Sequence, residues 1–180
     1  MPYATTHILI AIILIELFRE YLIKDNRKFP RYYIFIAAIG AIIPDLDIIA
    51  FYILSFFGFT FEQIHKTFMH TLFIPIILFL IGIFALKLKI KNHVTGKMHL
   101  KLPIIFFILF ATSLLHLILD SLFWPNLAIF YPFSSFTIGT NLLRFFPQSL
   151  QSLILPTLDG VLILLWIIWM EFKLKINNYF

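Results

Sequence analysis

Ile104-Ile105-Phe106-Phe107-Ile108-Leu109-Phe110-Ala111-Thr112-Ser113-Leu114-Leu115 carries no charge at any position. A membrane β-strand would alternate apolar and polar side chains over about ten positions. This run does not alternate, and neither does Ile8 to Leu17. Apolar runs of this kind predict helices, whose backbone groups satisfy one another within the segment.

The rest of the chain agrees with a lipid environment. Its 180 residues are 61% hydrophobic and 13% charged, and the mean hydropathy is +0.97. A soluble domain is about half apolar and about a quarter charged. No water-soluble fold of this length buries that much apolar surface. The expectation is an all-α polytopic membrane bundle forming a single domain, with spans at about 5–23, 32–57, 70–86, 103–122 and 156–170. Pro103 and Pro156 suit first helical turns, where a missing N–H costs nothing. The first span has no basic residue before it and no small-residue cleavage site after it, so it reads as a permanent helix rather than a signal peptide.

Span two is interrupted by Pro44-Asp45-Leu46-Asp47. Proline removes a donor and frees a carbonyl, and non-helical backbone at membrane depth needs protein or water to satisfy it. A buried pocket is expected there. Trp124 to Ser152, aromatic and rich in breakers, is expected at the membrane interface, partly covering that pocket.

Following the chain from Met1 places 12 of the 14 Lys and Arg at one end of the bundle, leaving Lys66 and Arg144 at the other. The positive-inside rule makes the basic end cytoplasmic, with the N-terminus outside and the C-terminus inside. The net charge of +5 thus reflects topology, and no nucleic-acid partner is expected. There is no cysteine, which excludes disulfides and thiolate ligands.

The outer end collects His7, Asp45, Asp47, His65, His70, His116 and Asp120, whereas His93 and His99 fall in a basic inner loop. At 1.5 Å rise per residue, the four spans bring these groups about 21 to 28 Å from their basic ends, a nearly common depth. That depth is the outer third of a core about 30 Å thick. Each group has an ordinary reading alone: a helix cap for His7, turn residues for Asp45 and Asp47, a surface loop for His65 and His70, a helix-end hydrogen bond for His116 with Asp120. Ionisable groups within apolar spans are costly, however, and mark functional sites. Mixed imidazole and carboxylate donors suit zinc, with manganese or iron as alternatives. Seven donors exceed the four of one tetrahedral zinc, so one or two ions are expected, with Asp120 as a bridging carboxylate. Asp47 is either a ligand or a general base. Lys66 is either a cation for a substrate phosphate or a snorkelling surface lysine. Asp159 either orients a ligand or favours the start of span five.

These motifs resemble the membrane-bound metal-dependent hydrolases of the YdjM-like type, also described as LexA-binding inner-membrane hydrolases. The resemblance rests on His7, Pro44-Asp45-Leu46-Asp47, His65-Lys66-Thr67-Phe68-Met69-His70-Thr71, His116-Leu117-Ile118-Leu119-Asp120 and Tyr131-Pro132-Phe133-Ser134. The chain departs from the family's pattern at Lys66 for Arg, Thr67 for Gly, Met69 for Thr and Thr71 for Ser. More distantly, the ligand order is similar to that of zinc-dependent phospholipase C and the single-strand nucleases. That superfamily has further ligands, and no histidine follows His116 here. The resemblance implies a metal-dependent hydrolase, and the depth of the site implies a phospholipid or lipid-linked phosphoester substrate. Two other classes remain open at this point: a metal-ion or proton-coupled transporter, and a non-catalytic membrane protein with a structural metal. A transporter would continue its polar residues toward the inner end and would commonly show an inverted repeat, which this sequence lacks.

Overall fold

The computed structural model describes residues 3–25, 28–65, 68–88 and 101–174. Helix α1 spans Ala4–Leu17 and runs on as a wider π-helical turn, Phe18–Ile23, which ends at Lys24 in the left-handed region. Helix α2 spans Tyr32–Ile42. One tight 3₁₀ turn, Ile43–Leu46, joins it to α3, Asp47–Leu54. A short α4, Phe61–Ile64, leads toward α5, Phe73–Lys87. Helix α6 covers Leu102–Phe123, and α7 covers Gln148–Trp169. The described residues contain no strand, only one isolated bridge between Leu127 and Ile138.

The protein is an all-helical membrane bundle. Three helical stretches, Tyr32–Phe57, Leu102–Phe123 and Gln148–Phe172, are long and apolar enough to cross a membrane, and α5 is a shorter apolar helix. Helix α1 carries Glu16, Arg19 and Glu20 toward its end. Glu16 and Arg19 are buried, with Arg19 Nη1 3.8 Å from Glu16 and Nη2 3.1 Å from Glu20.

One expectation about the spans holds and one is corrected. The α-helix of span two is interrupted at Pro44, where Ile43–Leu46 form a 3₁₀ turn within a helical path from Tyr32 to Phe57. A 3₁₀ turn shifts the bonding to i→i+3 and so absorbs a proline within one turn. Pro156 does not open span five: α7 begins eight residues earlier, at Gln148, and Pro156 lies inside it. Pro147 directly before the helix is the residue that marks its start, since a proline cannot continue a preceding helix.

Packing places α6 between α2 and α5, with α1 against both α2 and α6 and α7 against α1. Small residues set the closest contact. Ala37, Gly40 and Ala41 are buried on α2, and a Cβ at Gly40 would stand 3.0 Å from Leu109 Cα. Helices in lipid gain from such approaches because backbones meet closely there. Tyr33 is fully buried, and its phenol oxygen accepts the Lys101 N–H at 2.7 Å, which ties the start of α2 to the start of α6. Phe29, Tyr33, Ala37 and Ile108 form the core at that end. Leu117, Leu127 and Ile129 form a second cluster at the other.

Candidate metal centre

His116 and Asp120 lie four residues apart on α6 and so share one helix face. That face meets His7 from the first turns of α1, Asp45 and Asp47 from the turn between α2 and α3, and His70 from just before α5. His7, Asp47, His70, His116 and Asp120 are all buried. Asp45 and His65 retain 17% and 12% side-chain exposure, which marks the open side of the cluster.

The spacing between donors is uniform. His7 Nε2 lies 3.4 Å from Asp120 Oδ1. His70 Nε2 lies 3.4 Å from Asp45 Oδ1 and 3.4 Å from Asp120 Oδ2. His116 Nε2 lies 3.6 Å from each of the same two oxygens. The His7 and His116 rings stack, with centroids 3.7 Å apart. Donors held at 2.0–2.1 Å from one tetrahedral zinc stand about 3.4 Å from each other.

The hydrogen-bond inventory supports the same fit. Among the described residues, the Nε2 atoms of His7, His70 and His116 and both oxygens of Asp120 are buried without a hydrogen-bond partner. Orphaned polar atoms in a low-dielectric interior are costly, and a buried carboxylate is costlier still. Divalent cations shared among them would satisfy these atoms. The groups able to share an ion are His7 with His116 and Asp120, Asp45 with His70 and His116, and Asp47 with His65 and His70. The donor set therefore suits a divalent metal.

Local structure explains how the imidazoles are aimed. Pro44 has no N–H, and in the i→i+3 register of its turn the carbonyl it leaves unserved is that of Ala41. His116 Nδ1 bonds to that oxygen at 2.6 Å. The Nδ1–H of His116 is thereby committed to the backbone, and Nε2 is left as a lone pair facing the cluster. His70 is aimed the same way by Asp47, whose Oδ2 lies 3.1 Å from His70 Nδ1. The other Asp47 oxygen lies 3.0 Å from His65 Nδ1. Asp47 thus spends both oxygens on two imidazoles, an arrangement that fixes tautomers and raises ligand basicity. Thr71 closes the turn before α5 by donating to the Phe68 carbonyl at 2.8 Å.

The model of the YdjM inner membrane protein family matches residues 1–176. The chain belongs to this family. Comparison with curated proteins and with solved structures gives no match. All seven histidines and aspartates expected at the outer end lie within the part matched to YdjM, and the structure brings all seven into one connected cluster.

Two further residues are expected at the site in this YdjM family member. Lys66 lies outside the described residues, as do His93 and His99. Asp159 does not open span five but sits well inside α7, where it accepts a hydrogen bond from the Thr6 hydroxyl, next to His7 in sequence. The segment after α6 does lie over the cluster's edge. Its Ile129 carbonyl accepts the Leu72 N–H at 3.0 Å, two residues beyond His70. Phe133 of the Tyr-Pro-Phe-Ser stretch stacks edge-on against Phe73, with centroids 5.4 Å apart.

Sequence reasoning missed the Ala41 carbonyl and the Thr6 hydroxyl. The first carried a signal, because the carbonyl three residues before an intrahelical proline is open to a side chain from a neighbouring helix.

Proposed function

We propose that this protein is a membrane-embedded metal-dependent hydrolase acting on a phosphoester, with a phospholipid or lipid-linked substrate. The observation that carries this reading is the convergence of five orphaned buried donor atoms, from His7, His70, His116 and Asp120, beside a partly open Asp45.

His7, Asp45, His70, His116 and Asp120 would hold the metal, zinc before manganese or iron. Such an ion polarises a phosphoryl oxygen and acidifies a water. Asp47 holds His70 and His65 in their tautomers. With Nδ1 turned to Asp47, His65 presents Nε2 at the open side as the group that takes a proton from the attacking water. Lys66, next in sequence, would supply a cation to the substrate phosphate. The buried, shielded position of the donors favours charge stabilisation, since low dielectric strengthens every such interaction. The inner-membrane family and the distribution of basic residues support a site facing away from the cytoplasm.

A transporter would need polar walls leading from the cluster toward the basic end. The cavity between α1 and α6 on the way to the basic end, from Ala111 to Phe29, is walled by apolar side chains, which favours the hydrolase.

The test is metal analysis of the purified full chain, followed by a hydrolysis screen over water-soluble phosphoesters and phospholipids, with Asp120→Asn as control. Stoichiometric zinc and turnover lost in Asp120→Asn are expected. Protein without stoichiometric metal, or turnover equal in the two forms, would overturn the reading.

A further inference from the structure

Helix α1 presents His7, and on the same face, seven, eight and eleven residues later, Leu14, Ile15 and Phe18. Helix α6 presents His116, and earlier on its length Ala111, Ile108 and Ile104. The two helices run in opposite directions, so both series lead away from the metal centre toward the same end. The stacked His7 and His116 rings close the space between the helices at the top. Below them the helices part around a cavity of about 370 Å³, lined by Leu14, Ile15, Phe18, Ile104, Ile108 and Ala111 among others. Leu14 and Phe18 are 46% and 43% exposed, so the cavity opens sideways, to lipid.

We infer that this cavity is the binding site for the alkyl chain of the substrate, whose phosphate lies at the metal centre. The inference rests on the hydrolase reading and gives it a substrate class: a phosphoester carrying at least one long unbranched apolar chain. Three observations support a chain rather than another occupant. On α1 the cavity's wall lies on the same face as His7, with Leu14 and Phe18 about two and three turns beyond it. Its walls carry no charged or strongly polar side chain. Its α6 wall, Ile104 to Ala111, runs about 10 Å along the helix at 1.5 Å per residue, room for much of an extended alkyl chain. The bilayer supplies such chains along this face, and a headgroup entering from the outer leaflet reaches the cluster on its open side, at Asp45 and His65. Phosphoesters sharing a headgroup but differing in tail length would therefore differ in KM, by up to about fourfold for each added methylene until the cavity is filled.

The test uses the purified full chain in nanodiscs and two filled-cavity variants, Ala111→Trp and Leu14→Trp, which block it from opposite walls. Retained metal content in either variant reports intact folding of the centre, and two variants guard against one failing to fold. The first measurement is photolabelling with dodecyl phosphate carrying a diazirine in its chain, mapped by peptide. Labelling of residues 104–111 is expected, at least tenfold weaker in the folded variants, while labelling of lipid-facing α7 stays constant. The second is turnover of p-nitrophenyl phosphate against its long-chain alkyl counterpart. Expected is an unchanged KM for the soluble ester and a KM at least tenfold higher for the long-chain ester in the variants. Labelling of 104–111 no stronger than that of α7, or unaltered by the substitutions, overturns the chain site even if hydrolysis is robust. Absence of any turnover overturns the hydrolase reading alone, since labelling still judges the cavity. Equal effects of the substitutions on both esters would also overturn the chain site.

Discussion

His116 on α6 donates its Nδ1–H to the backbone carbonyl of Ala41 on α2, at 2.6 Å. The bond exists because Pro44 cannot serve that carbonyl. A backbone irregularity in one helix thus sets the tautomer of a donor in the next. Pro44→Ala would restore an N–H that competes for the Ala41 oxygen. Loss of a group that orients a ligand typically costs 10–100-fold in metal affinity. The expected result for Pro44→Ala is a loss of about tenfold, the low end of that range. Zinc competition against a chromophoric chelator measures it, and unchanged affinity would show that the Ala41 contact does not aim His116.

Asp47→Asn tests whether this carboxylate positions histidines or receives a proton itself. An amide can still meet one Nδ1–H through its oxygen, but it cannot accept from both His65 and His70. Expected is a metal affinity weaker by about 10–100-fold. A variant that keeps full affinity but loses turnover would instead make Asp47 the general base.

Much of this centre was legible in the sequence, for reasons that also mark what was not. The apolar runs identified α1, α2, α5, α6 and α7 as helices, since continuous apolar segments in lipid have few other solutions. The common depth of His7, Asp45, His70 and His116 followed from rise per residue alone. Which oxygen faces which nitrogen did not follow, because spacing fixes a helix face but not a rotamer. Hence Asp47 read as ligand or base, while the structure engages both its oxygens with imidazoles. The start of α7 was misplaced because two prolines, Pro147 and Pro156, could each open a helix, and only tertiary packing decides between them. Burial of Glu16 and Arg19 was likewise invisible, since charges near a span end ordinarily snorkel to water.

Metal affinity should depend steeply on pH. His7, His70 and His116 bind a metal only as neutral imidazoles, so acid competes with the ion. Affinity should therefore weaken steadily on acidification. Isothermal titration with zinc at a series of pH values measures it. A dissociation constant independent of pH would mean that the imidazoles are not ligands.

The close approach of α2 and α6 should be essential to the site. A side chain at Gly40 would begin 3.0 Å from Leu109 Cα and 3.2 Å from its carbonyl oxygen. Gly40→Leu must push the helices apart, at a cost of about 1–3 kcal/mol typical of overpacking, and must carry Ala41 away from His116. A lower unfolding temperature in detergent and a loss of bound metal are expected together. Gly160→Leu on α7 is the control, because nothing lies within 4 Å of a Cβ there. Equal behaviour of the two variants would mean that the contact does not shape the centre.

Thr6 and Asp159 offer a way to separate stability from metal binding. The Thr6 hydroxyl, fully buried on α1, donates to Asp159 on α7, and α7 packs chiefly on α1. Thr6→Val keeps the shape of the side chain but leaves the carboxylate without this donor. Leaving a partly buried acceptor unpaired costs about 1–3 kcal/mol. Helix α7 should then exchange its amide hydrogens faster, while zinc affinity stays unchanged, because the His7 contact with Asp120 does not pass through Thr6. If Thr6→Val instead weakened zinc binding tenfold, Asp159 would be acting through α1 on His7. The pair would then belong to the metal centre rather than to the packing of the bundle.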